Sequence, residues 1–222
     1  MHVAVVLAGC GHRDGAEVRE ACYTLLALDQ EGATFQCFAP DKPQHDVIDH
    51  VTGQATGEQR NVLVESARIA RGEIRPLSAF DADDFDALVF PGGTGAAKNL
   101  STFALHGAAA SVDPDVRRAI EATQAAGKPL GFVCITPVSL GALVLGSGTR
   151  LTVGADGPAA QAVAELGAEH VTCPVGSAVV DPAKKVVSTP AYMDGAARPA
   201  QVYDGIRRLV QELLALAGPP GG

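Results

Sequence analysis

Short apolar runs that stop abruptly constrain this fold most. Residues 2–8 are β-branched and apolar and end at Gly9, and residues 87–90 are cut off by Pro91-Gly92-Gly93. Residues 130–133 make a third run that ends at Cys134. Runs this short, apolar throughout rather than alternating, read as strands buried on both faces of a sheet. Between them the spacing is helical. Residues 16–31 repeat Val18, Cys22, Leu25 and Leu26 and close at Gly32, and residues 115–126 begin after Pro114. Further strands are expected at 33–39 and 151–153, and further helices at 61–71, from Pro137, at 159–166 and at 200–216. A hairpin is expected to turn at Asp181-Pro182. The polar stretch 40–57, rich in Asp and His, predicts an excursion outside the core, and 94–112 a loop-rich segment. Strands alternating with helices give an α/β fold, a mostly parallel sheet with helices on both faces.

Composition sets the scale. With 222 residues, 47% apolar and 19% charged, the chain can bury a sizeable core and is not disordered. A single domain over 1–217 with a flexible tail at 218–222 is expected. Seventeen basic residues against 25 acidic ones give a net charge of −8 without a basic cluster, which excludes a nucleic-acid partner. The five cysteines form no C-x-x-C pair and suit a reducing compartment. Leu7-Ala8-Gly9-Cys10 imitates a lipoprotein cleavage box, but the apolar run before it is too short and carries no preceding Lys or Arg. No stretch approaches the roughly 20 apolar residues of a spanning helix. The expectation is a soluble cytoplasmic protein with no membrane partner.

In a doubly wound sheet, ligands bind outside the carboxyl ends of the strands. Three loops leave such ends here, at 9–15, 91–98 and 134–137. Cys134 sits directly after a strand, with Thr136 as N-cap and Pro137 as first residue of the next helix. Helix N–H groups there favour a thiolate and can hold a developing oxyanion, which makes Cys134 a candidate nucleophile with an acidic thiol. The competing reading is an inert cysteine at a strand end. Glu17, in Asp14-Gly15-Ala16-Glu17, is either the far half of a capping box or a carboxyl group that exchanges protons at the sheet edge. Spacing alone favours the cap.

The glycine loops bind no nucleotide. Gly9-Cys10-Gly11 with Gly15 misses the dinucleotide spacing by one residue, and 91–98 lacks the glycine that precedes a P-loop lysine. Gly11, Gly92 and Gly93 instead let backbone N–H groups approach a small ligand. His12, His45, His50, His106 and His170 are scattered and read as surface or structural residues. No metal and no cofactor are expected.

Taken together, Leu7-Ala8-Gly9-Cys10-Gly11, Asp14-Gly15-Ala16-Glu17, residues 37–42, Arg71-Gly72-Glu73-Ile74, Pro91-Gly92-Gly93 through Leu100, Lys128 through Phe132 and Thr189-Pro190-Ala191-Tyr192-Met193 are specific. On these, nearly the whole chain resembles the ThiJ/PfpI superfamily, related to class I glutamine amidotransferase domains. Within it, the chain is most similar to ElbB-type proteins, named for enhanced lycopene or isoprenoid biosynthesis, and their mitochondrial ES1-like relatives. The resemblance implies a flavodoxin-like three-layer sandwich and a homodimer. It matches Cys134 to the nucleophile at the elbow, Glu17 to the acidic residue beside it, and Gly93 to the oxyanion donor with the Ile135 N–H as partner. Many members carry a histidine where this chain has Gly154-Ala155-Asp156, so Asp156 is the candidate third member. Lack of that histidine disfavours amide hydrolysis and favours a glutathione-independent glyoxalase reaction on small 2-oxoaldehydes. The alternatives are a redox-responsive regulatory protein with an oxidisable Cys134, and a cysteine-dependent amidase or esterase.

Overall fold

The computed structural model describes residues 1–218. The strands are β1 (His2–Val6), β2 (Thr34–Ala39), β3 (Ile74–Pro76), β4 (Ala87–Phe90), β5 (Leu130–Val133), β6 (Arg150–Leu151), β7 (Glu169–His170), β8 (Val179–Asp181) and β9 (Val186–Thr189). Seven of them form one sheet in the order β3-β2-β1-β4-β5-β9-β8, parallel at every ladder except β8–β9. β6 and β7 pair separately. The expected α/β sandwich, a mostly parallel flavodoxin-like sheet with helices on both faces, is the fold observed.

β1, β4 and β5 are the apolar runs, and Val3 through Val6, Ala87 through Phe90, Leu130 and Phe132 have no exposed surface. Phe90 and Phe132 stack between β4 and β5 with ring centroids 5.5 Å apart. The chain winds from β1 outward through β2 to β3, then returns to place β4 on the other side of β1. That reversal leaves a crevice above the carboxyl ends of β1 and β4.

The α-helices are α1 (Val18–Gln30), α2 (Val62–Ile69), α3 (Phe103–His106), α4 (Pro114–Ala125), α5 (Leu143–Leu145), α6 (Pro158–Glu165) and α7 (Pro199–Ala217). The face of α1 differs from the expectation. Val18, Cys22 and Leu26 are exposed, whereas Glu20, Ala21, Thr24, Ala27 and Leu28 are buried. Small residues line the inner face because α1 packs closely beside α7.

The helix expected from Pro137 opens as a π-helical turn, Pro137–Ala142, before α5. A second π-helical turn, Ala96–Leu100, lies inside the segment read as loop. Strand β3 escaped the sequence reading. The polar excursion does fold outside the sheet, closed by bridges between Pro43 and Asn61 and between Ile48 and Ala55. Of the expected flexible tail, residues 219–222 lie outside the described residues. No helix among the described residues is long and apolar enough to cross a membrane.

Candidate active site

The turn after β5 holds Cys134 at φ +63°, a left-handed conformation that side chains other than glycine's rarely adopt. Its N–H donates to the Thr189 carbonyl at 3.0 Å, so the end of β9 fixes the bend. Thr136 fixes it from the other side. Rather than capping a helix, its buried hydroxyl donates to the Phe90 carbonyl (3.0 Å) and accepts the Val133 N–H (2.8 Å). Cys134 is therefore tied to β4, β5 and β9 at once. The backbone N–H groups of Gly93 and Ile135 point at its sulfur.

The two glycine loops pack backbone to backbone. The Glu17 N–H donates to the Gly92 carbonyl (2.9 Å), the Gly95 N–H to that of Gly15 (3.1 Å), and the Thr94 N–H to that of His12 (2.8 Å). A Cβ on Gly92 would overlap Cys134 and Glu20, and one on Gly93, φ +108°, would overlap the backbone of residues 15–17. Gly11 has a different job from the one expected. Its N–H is spent on the Ala16 carbonyl at 2.9 Å, closing its own loop, and it does not line the Cys134 pocket.

The carboxyl group that meets the thiol belongs to Glu20. Glu17 is the N-cap of α1, its Oε2 accepting the Glu20 N–H at 2.6 Å, although it also forms part of the pocket wall. Glu20, one helical turn on, has no exposed surface. Its Oε1 accepts the Tyr192 N–H at 3.1 Å, and Oε2 has no well-aligned partner. The Gly92 N–H and the Cys134 thiol are the polar groups facing it. Burial pushes the Glu20 carboxyl up to about 8, within reach of neutral pH. Sequence spacing carried one usable signal: Glu20 shares a face with Thr24 and Leu28, the face that turned out to be buried.

The thiol is not the acidic one expected. Burial, and next the Glu20 charge, push Cys134 upward, while the N–H groups of Gly93 and Ile135 pull the other way. A cysteine so placed needs a neighbouring base.

Cys134, Glu17, Gly93 and Ile135 open on a pocket of about 320 Å³ that His12, Phe103, Tyr192 and Met193 also line. His12, read from the sequence as a surface residue, is exposed, and it stands in the wall of the same pocket as Cys134. Burial and the neighbouring His50 and Arg13 lower its pKa, so it is a neutral base at pH 7. Asp156 does not complete the site. Its side chain is 90% exposed, it lies 3.7 Å from His170 Nδ1, and it lines a different cavity. Among the described residues no group of three or more His, Cys, Asp or Glu is placed to hold a metal.

No family model matches the chain. Among curated proteins, the human glutamine amidotransferase-like class 1 domain-containing protein 3, mitochondrial, is 48% identical across 97% of this chain and 83% of its own length. The ES1 protein homolog, mitochondrial, of Rattus norvegicus is 46% identical across 97% and 84%. An isoprenoid biosynthesis protein with amidotransferase-like domain from Ehrlichia chaffeensis has a similar solved structure. It is 38% identical with a TM-score of 0.89, over 97% of this chain and 99% of that one. Glyoxalase III from Candida albicans shares the fold at 14% identity and a TM-score of 0.62, over 97% of each chain. These relatives correct one expectation: the curated proteins are named mitochondrial, which overturns the cytoplasmic assignment made from the sequence.

Proposed function

Because this chain belongs to the ES1-like family of class I glutamine amidotransferase-like proteins, we propose that its Cys134 pocket does cysteine chemistry on a small carbonyl compound, specifically the glutathione-independent conversion of a 2-oxoaldehyde to a 2-hydroxy acid. One observation carries this reading: a buried carboxyl group with a pKa of about 8 lies against a cysteine that cannot ionise easily alone. Once the carboxyl group has lost its proton, toward pH 8, the pair holds one shared proton, and the sulfur needs that proton removed only as it attacks.

With methylglyoxal, the Cys134 sulfur bonds to the aldehyde carbon as its proton passes to Glu20. Glu20 returns that proton to the aldehyde oxygen, whose developing charge faces the Gly93 and Ile135 N–H groups, and a hemithioacetal results. The Glu20 carboxylate then takes the remaining hydrogen of that carbon as a proton, giving an enediolate. Returning it to the neighbouring carbon, with the hydroxyl proton moving to the other oxygen, yields a lactoyl thioester. Water attacks the thioester with neutral His12 accepting its proton, and lactate and the free thiol leave. Glyoxal follows the same course to glycolate. The likeness of fold to a glyoxalase III is consistent with this reading.

The test is lactate formation from methylglyoxal without glutathione, for wild type, Cys134→Ser and Glu20→Gln. Turnover lost in both variants supports the reading, and equal rates in all three overturn it. The donors around the sulfur also favour a second reading, in which one peroxide oxidises Cys134 to a sulfenic acid and a second carries it to a sulfinate, each peroxide being reduced to water. That reading requires selective oxidation of Cys134 among the five cysteines with no dicarbonyl turnover.

A further inference from the structure

Two consecutive residues of α1 hold one residue of the turn that follows β9. Glu20 Oε1 accepts the backbone N–H of Tyr192 at 3.1 Å, and Arg19 Nη1 donates to the Tyr192 hydroxyl at 3.2 Å. We propose that Arg19 and Tyr192 are positioning residues for the Glu20–Cys134 pair: the bond between their side chains keeps the Tyr192 N–H aimed at the buried carboxyl group. The proposal rests on that pair being the reactive centre and names what sets its geometry.

The turn is under strain and has to be held. Ala191 sits at φ +46°, a left-handed conformation that a residue with a Cβ keeps only where its surroundings impose it. The Met193 N–H donates to the Pro190 carbonyl at 3.0 Å and closes the turn, and Ala191 itself has no exposed surface. Two further ties run from Tyr192 to α1. Neighbouring side chains on a helix point about 100° apart, so Arg19 and Glu20 reach Tyr192 from different directions. Arg19 is exposed and takes the hydroxyl, with its guanidinium carbon 6.0 Å from the ring centroid, whereas Glu20 is buried and takes the amide. With both ends of Tyr192 held, its amide cannot swing away from Glu20 while the hydroxyl stays bound.

The consequence is chemical. An N–H that donates to a carboxylate favours the charged form, so an amide that drifts away leaves Glu20 harder to deprotonate and a poorer base. The titratable groups facing Glu20 are Glu17 from its own helix and Cys134 from the β5 elbow, and His12 stands in the pocket wall on the first glycine loop. The same stretch of chain also steadies the thiol, because the Cys134 N–H donates to the Thr189 carbonyl at 3.0 Å. One short turn thus touches both members of the pair.

The experiment reads the Glu20 carboxyl group and not turnover, so it stands apart from the lactate assay. The full chain is isotope-labelled at the glutamate side-chain carboxyl carbons and titrated by carbon NMR, the Glu20 resonance being the one absent from Glu20→Gln. Wild type, Tyr192→Phe and Arg19→Gln are compared at high salt, where an exposed charge is screened. Tyr192→Phe deletes the hydroxyl and keeps the ring, the amide and the net charge. In both variants the midpoint is expected to rise from about 8 by about half a pH unit or more. The double variant should rise no further than either single one, because both substitutions break the same bond. Midpoints that stay at the wild-type value overturn the proposal, even if urea shows a loss of stability. So does a rise in only one single variant, or shifts that add in the double. Absence of lactate formation in wild type, with the rise intact, would sink the glyoxalase reaction and leave the positioning residues standing.

Discussion

The Glu20 carboxyl group and the Cys134 thiol share one compartment under Gly92, where a side chain on residue 92 would strike both. The proton count of that compartment governs stability as well as reactivity. Burial moves the Glu20 carboxyl from its ordinary 4.5 up to about 8. Below 4.5 the folded and unfolded chains both hold the proton; between 4.5 and about 8 only the folded chain does. This contribution to stability is therefore full in acid and is lost as pH rises toward 8, at up to about 1.4 kcal/mol per pH unit. Urea melts of wild type and Glu20→Gln at pH 5 and pH 7.5 check it: the variant should lack this part of the slope.

Reactivity follows the opposite course. Glu20 acts as a base only after losing its proton, so kcat/KM for methylglyoxal should climb with pH and level off above about 8. Glu20→Gln should cost about a hundredfold or more. The same substitution removes the charge that helps hold the thiol up, so the alkylation profile of Cys134 should shift toward lower pH. A profile unmoved by Glu20→Gln would mean the carboxyl group does not govern the thiol.

His12 enters only after the thioester has formed. His12→Gln should therefore slow release more than attack. Mass spectrometry after mixing with methylglyoxal should find Cys134 carrying a lactoyl group in the variant and little of it in wild type. Equal, low acylation in both would remove His12 from the hydrolytic step.

Asn99 holds the crevice together. Its side chain donates to the carbonyls of Ala8 and Asp14, both at 2.9 Å, and accepts the His45 N–H at 2.9 Å, with almost no exposed surface. Asn99→Ala strands these groups, and a loss of about 3 kcal/mol is expected in urea unfolding. Methylglyoxal turnover should fall with it, because three loops lose their common tie.

The sheet was legible because its central strands are apolar and end sharply: residues 87–90 and 130–133 are β4 and β5 to the residue. β3 was not, since three residues ending in Pro76 carry no periodicity at all. That Cys134 follows a strand directly, and that the loop with Gly93 follows another, could be read from where the apolar runs end. Glu20 could not, because the apolar repeat of α1 drew attention to Val18, Cys22 and Leu26, the side that faces out. Where small residues form the inner face of a helix, hydrophobicity no longer marks that face, and a buried carboxyl group among them goes unnoticed. The first glycine loop was expected at the same sheet edge as the β5 elbow, but nothing in the spacing singled out His12, an exposed residue of that loop, as part of the pocket wall.

The large sheet ends at both margins in a three-residue strand, β3 closed by Pro76 and β8 closed by Asp181. An exposed row of unpaired backbone groups is a template on which further chains add, and it grows more dangerous with length and flatness. Margins this short offer a neighbouring molecule almost nothing to extend. Crowding in a densely filled compartment should therefore leave such chains dispersed, even when heat loosens their helices, rather than zipped into fibres.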